Sequence, residues 1–182
     1  MSQTAYVALL RGINVGGHKP VNMGQLKQLF ETAGFTQVKT ILNSGNVVFQ
    51  SSSESEDIVG EKISKMLFEV LGYKISVLVR SVDHLKNLVH IDPFQGHEVT
   101  KQTRLYVSFL TEKPTTSLKL PYRSDIGDFE IVSVLEREVC SILTLSEEFT
   151  STESMNVLEK TFGKQITTRN WNTVLRIVKL FP

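Results

Sequence analysis

The most overt chemistry lies in RGINVGGHKP, Arg11–Pro20, where an apolar run gives way to glycines, cations and an asparagine. A glycine-rich turn that opens a helix can cradle phosphate, because its backbone N–H groups converge and the helix start is electropositive. Gly12 and Gly17 have the spacing of a nucleotide-binding P-loop. The pattern then fails: His18 displaces the lysine to Lys19, and Pro20 stands where a metal-holding hydroxyl is needed. No later strand ends in the aspartate that would share such a metal. The dinucleotide fingerprint fails too, since glycine is absent two residues after Gly12. Gly16 and Gly17 permit positive φ at a strand-to-helix turn and stand as ligand-binding candidates beside Arg11, Asn14 and Lys19, to which the chemical interest moves.

Those residues need elements to position them. Thr4–Arg11 reads as a buried strand, and Met23, Leu26, Leu29 and Phe30 recur at helical spacing behind an Asn22 N-cap, with Gln25 placed for a capping box. Gln37–Leu42 and Asn46–Gln50 read as strands joined across Ser44-Gly45. Ile58–Leu71 is helical and ends at Gly72, and Ile75–Arg80 is a further strand. Strand, helix, strand, strand, helix, strand is the split βαβ, or ferredoxin-like, order. In that topology the end of the first strand, the start of the first helix and the hairpin share one sheet edge. Arg11, Asn14, Lys19 and the helix start near Asn22 should therefore approach Asn43, Ser44 and Asn46, a set suited to a phosphate or carboxylate. Such groups bind and orient; none of them is an obvious general base.

Ser81 can cap a short helix to His90, followed by the turn-rich HIDPFQGHE. Arg104–Leu110, Asp128–Leu135 and Glu138–Leu145 read as strands, the last two as a hairpin around Glu136-Arg137. Helices are expected over Glu153–Phe162 and from Thr168 onward, with Thr168 as N-cap. That places Arg169 and Asn170 at a helix start able to meet an anion, and Trp171 in the apolar stripe with Val174, Leu175 and Val178. The expected class is α+β: a ferredoxin-like half over 1–80, a helix and connector over 81–100, and a smaller α+β half over 101–182, the two halves packed together.

The stretches YVALLRGINVGGHKPVNMGQL, LNSGNVVF and ITTRNWNTV together resemble the domain-of-unknown-function 1697 family, and IDPF resembles a connector in it. The resemblance covers nearly the whole chain. It implies a compact two-part α+β protein with a ferredoxin-like N-terminal part, of mostly bacterial distribution, and it implies no settled activity.

The remaining candidates read more plainly. His90, Asp92 and His97, with Glu98 nearby, are the one set that a turn at Pro93 could gather around a metal, but their spacing follows no metal-site pattern and a solvated loop is the expected state. Cys140, inside EVCSIL, reads as a buried small hydrophobe. The Glu54–Asp57 run suits a helix N-terminus.

With 182 residues, 41% hydrophobic content and a formal charge of +1, the chain has material for a core and lacks the field that draws a protein to nucleic acid or an anionic membrane. The lone cysteine fits a reducing compartment, and Ala5–Leu10 is too short for a signal segment, so a cytoplasmic location is expected. The expected function is binding of a phosphorylated small molecule or nucleotide at the loop and hairpin. Its alternatives are a structural, homo-oligomeric module and a weak RNA or single-stranded nucleic-acid binder. The last would stack bases on Phe49, the one aromatic of the third strand.

Overall fold

A central apolar strand organises the first half of the chain. β1, Gln3–Leu10, is hydrogen-bonded on both sides, antiparallel to β3, Asn46–Ser52, and to β4, Val77–Ser81. It is buried on both faces from Tyr6 to Leu10, which is why it reads as a continuous apolar run rather than an alternating one. β2, Thr36–Ile41, pairs with the far side of β3, giving the order β2-β3-β1-β4. With helices α1, Met23–Thr32, and α2, Glu56–Leu71, between the strands, this is the ferredoxin-like arrangement. The computed structural model describes residues 3–14, 20–52, 54–116, 118–125, 127–146 and 151–181.

Alternation along the strands decides which side chains meet the helices. Tyr6, Ala8 and Leu10 share a core with Val47 and Phe49, with Leu26 and Phe30 of α1, and with Val59, Ile63 and Leu67 of α2. Phe49 sits at its centre, 4.6 Å between ring centroids from Phe35, 5.4 Å from Phe30 and 5.9 Å from Tyr6. Fully buried among these rings, Phe49 is no platform for a nucleic-acid base. α1 carries the Asn22 cap that its sequence announces, and α2 is capped by Ser55, which reads in the sequence as a loop residue. The Asn22 side chain accepts from the N–H groups of Gly24 and Gln25, and that of Ser55 from Ile58 N–H. Gly72 closes α2 in the left-handed region. α2 begins two residues before Ile58 because Glu56 and Asp57 favour its positive end.

The chain forms two compact units, 1–87 with 176–182, and 88–175. α3, Val82–Ile91, follows β4, and the Ser81 hydroxyl accepts from His84 N–H at its start. In the second unit an antiparallel sheet is formed by β5, Thr103–Leu110, β6, Tyr122–Arg123, β7, Phe129–Val134, β8, Glu138–Thr144, and β9, Ile166–Asn170. The strand order is β6-β7-β8-β5-β9. The β7–β8 hairpin turns at Glu136-Arg137 as expected, closed by Leu135 N–H donating to Glu138 C=O. Leu110, Phe129, Ile131, Val139, Leu143 and Ile166 pack with Leu158 of α4, Ser151–Phe162.

Two strands depart from expectation. β6 is a two-residue pairing with β7 that no sequence pattern marks. β9 occupies the stretch expected to begin the last helix: Thr168 pairs with Ser108 as a strand residue and is not an N-cap. α5, Trp171–Lys179, starts three residues later, and Asn172 N–H donates to the Asn170 side-chain oxygen at 2.9 Å. Trp171 lies in the core as expected, edge-on to Phe94 with 5.3 Å between centroids.

Candidate functional site

At the C-terminal end of β1 the chain must leave the sheet, and the β2–β3 hairpin meets it there. Leu9 pairs with Asn46, and Leu10 N–H donates to Gly45 C=O at 2.8 Å. The hairpin loop needs left-handed backbone at Leu42 and Gly45, with φ of 58° and 75°. Glycine is required at the second position for space as well as for φ. A Cβ there would fall 2.8 Å from Ile13 Cδ1 and 2.9 Å from Leu10 Cβ. Asn46 locks the loop from inside: fully buried, it donates to Ile41 C=O at 2.9 Å and to the Ser44 hydroxyl at 3.0 Å.

Asn14 joins the two segments. It is left-handed, with φ of 56°, a conformation that asparagine tolerates better than most residues. Its side-chain amide donates to Asn43 C=O at 2.9 Å and to Val21 C=O at 3.0 Å, while its oxygen accepts from Val21 N–H at 2.8 Å. The loop is thus pinned at its exit from β1, at its entry to α1 and at the hairpin. Arg11, half-buried, follows β1, and its N–H donates to Ser76 C=O at 2.9 Å. Beside the clamp is a cleft of about 580 Å³, lined by Asn14, Pro20, Val21, Asn22, Met23 and Asn43. Gly16, Gly17 and Lys19 lie outside the described residues. The juxtaposition expected of Asn14 and the hairpin is present. Sequence reasoning missed that the Asn14 carboxamide is committed to backbone groups; an asparagine two residues past a strand-ending glycine was the only signal.

Arg169 and Asn170 belong to the second unit. Arg169 is buried on β9 opposite Val107, where it donates to the Thr167 hydroxyl at 2.8 Å and to Thr168 C=O at 2.9 Å. Burial weakens its hold on the proton, lowering its pKa from 12.5 to about 10, so it is still a cation at neutral pH. Asn170 is the cap of α5 described above.

Among the described residues no three His, Cys, Asp or Glu side chains are placed to hold a metal, so His90, Asp92 and His97 are not gathered into a ligand set. Cys140 is buried, and burial pushes its thiol pKa up to about 12, which removes it as a nucleophile. No helix among the described residues is long and apolar enough to cross a membrane.

No curated protein matches the chain. Among solved structures it is similar to the conserved bacterial protein SP0830 from Streptococcus pneumoniae, with a TM-score of 0.73, 24% identity and 100% of each chain covered. At that identity the likeness is one of fold. Residues 3–139 match the family described as protein of unknown function (DUF1697), a span that includes the pinned loop and the hairpin and ends before Arg169. The chain belongs to the DUF1697 family.

Proposed function

We propose that this protein is a cytoplasmic binder of a phosphate-bearing or other anionic small molecule, held where the β1–α1 loop faces the β2–β3 hairpin. One relationship supports the reading above all: the Asn14 carboxamide ties the loop to Asn43 and Val21, beside a cleft onto which the start of α1 opens. A helix N-terminus favours negative charge there, and the Asn14 bonds hold the exit from β1 and the entry to α1 in place before a ligand arrives. Asn14, Asn22 and Asn43 line that cleft, Asn46 braces the hairpin behind it, and Arg11 and Ser44, at the same sheet edge, are the further groups we assign to the ligand. A phosphorylated metabolite or a nucleotide is the matching class. Thermal denaturation with a panel of phosphate-bearing small molecules tests this: at least one should raise Tm, and Arg11→Ala should diminish the rise. Failure of every compound to stabilise the protein would end the reading.

A second reading, a structural and self-associating module, draws on the same bonds. Asn14 and Asn46 direct their carboxamides at the hairpin and loop backbone, as purely architectural residues would. Sedimentation over a range of concentrations tests it; a monomer throughout would remove it.

A further inference from the structure

The face of the first sheet turned away from α1 and α2 changes character along β1. Toward the pinned loop it carries Val7, Leu9 and Val48, all buried. At the other end, where Gln3 pairs with Ser52 and Ala5 with Gln50, it turns polar. A recess of about 500 Å³ opens there, lined by three carboxamides (Gln3, Gln37 and Gln50), two amines (Lys39 and Lys86) and the ring of Phe181. The first turn of α3, at Val82 and Asp83, also borders it, so the Asp83 carboxylate lies in the lining beside Lys86 and leaves Lys39 as the cation without a carboxylate neighbour among the described residues.

Gln3, Gln37 and Lys39 are exposed at the rim of the recess, with Gln50 and Lys86 half-buried. Among the described residues, no carboxylate lies within ion-pair distance of Lys39, whose ammonium rests 5.3 Å from the centroid of the Phe181 ring. Gln37 and Gln50 likewise have no side-chain hydrogen-bond partner among the described residues, although Gln50 is half-buried. Among the described residues, the Gln3 side chain bonds only to the Thr36 hydroxyl, accepting from it at 3.2 Å. Lys86 meets Asp83 at 3.5 Å in a pair whose carboxylate is largely exposed, a geometry worth little in water. Three strands, a helix and the tail all border this one recess.

We propose that this recess binds a small carboxylate bearing further hydrogen-bonding groups. Lys39 meets the charge as a point cation, and the carboxamides both donate and accept beside it. Phe181 offers an apolar wall to the carbon skeleton. Phosphate recognition ordinarily draws on arginine forks or converging backbone N–H groups, whereas this recess presents ammonium and side-chain amides. The site is separate from the loop and hairpin, lying at the opposite end of β1, and stands independently of the function proposed there.

The test is an NMR titration of the full chain with gluconate, succinate and inorganic phosphate, following the side-chain amide signals of Gln37 and Gln50. Gluconate or succinate should shift them saturably, Lys39→Ala should weaken that binding by roughly tenfold, and Asn14→Ala should leave it unchanged. Absence of a saturable shift with both carboxylates would overturn the proposal, as would a titration indifferent to Lys39→Ala. Phosphate binding as tightly as the carboxylates would overturn the choice of ligand class.

Discussion

The side-chain amide of Asn14 donates to the backbone carbonyl of Asn43 across 29 residues of sequence, at 2.9 Å. That bond, with two more to Val21, makes the exit from β1, the entry to α1 and the hairpin a single unit. Asn14→Ala should therefore cost about 2 kcal/mol, by loss of the bonds and by left-handed strain on a residue less tolerant of it. Asn14→Asp is the sharper probe. It keeps an acceptor for Val21 N–H but sets a carboxylate oxygen against two carbonyls, so it should lower stability too. Urea denaturation that finds either variant as stable as wild type would remove the clamp.

Gly45 and Gly12 are both left-handed, with φ of 75° and 69°, but only Gly45 is crowded. Gly45→Ala should cost roughly 2–4 kcal/mol, from backbone strain plus collision with Ile13 and Leu10. Gly12→Ala, with open space at its Cβ position, should cost about 1–2 kcal/mol from strain alone. Equal losses in the two variants would show that close approach plays no part at the hairpin.

Most boundaries with their own residue signal were legible in the sequence, Thr168 being the exception. Asn22, Ser44-Gly45, Gly72 and Glu136-Arg137 each mark a cap or turn by local chemistry, and the elements between them followed. β9 was not legible. ITTRN is five residues long, and its state is decided by pairing with β5, Ile166 against Leu110 and Asn170 against Tyr106, contacts that no local pattern announces. The meeting of Asn14 with the hairpin could be argued from topology. The targets of its side chain could not, because they depend on a φ of 56°. The polar recess was invisible for the same reason: Gln3, Gln37 and Gln50 are far apart in sequence, and only sheet register gathers them.

The displaced helix start gives a discriminating pair of variants. Asn170→Ala should cost about 1 kcal/mol as the loss of a cap, whereas Asn170→Ser should restore most of it. Thr168→Val should also destabilise, for a different reason. The Thr168 hydroxyl pairs with that of Ser108 at 2.7 Å, and the valine would leave fully buried Ser108 without this partner. If Thr168→Ser behaved as a cap exchange, altering only the helix signal in circular dichroism, the strand assignment would be wrong.

Cys140 supplies a pH signature. Its folded pKa of about 12 exceeds the ordinary value of 9.0 because burial disfavours the thiolate. A folded value raised above the unfolded one means that the unfolded chain releases the proton first as pH rises. The contribution of Cys140 to stability is therefore whole below pH 9 and is lost progressively as pH rises toward about 12. Denaturation midpoints for wild type and Cys140→Ala, taken at successive pH values above neutrality, should converge on the alkaline side, since the alanine variant has no thiol to ionise. Parallel curves would contradict the burial argument. The native thiol should also resist an aromatic disulfide reagent at mildly alkaline pH and react at once in denaturant; rapid native reaction would place Cys140 nearer the surface than its strand allows.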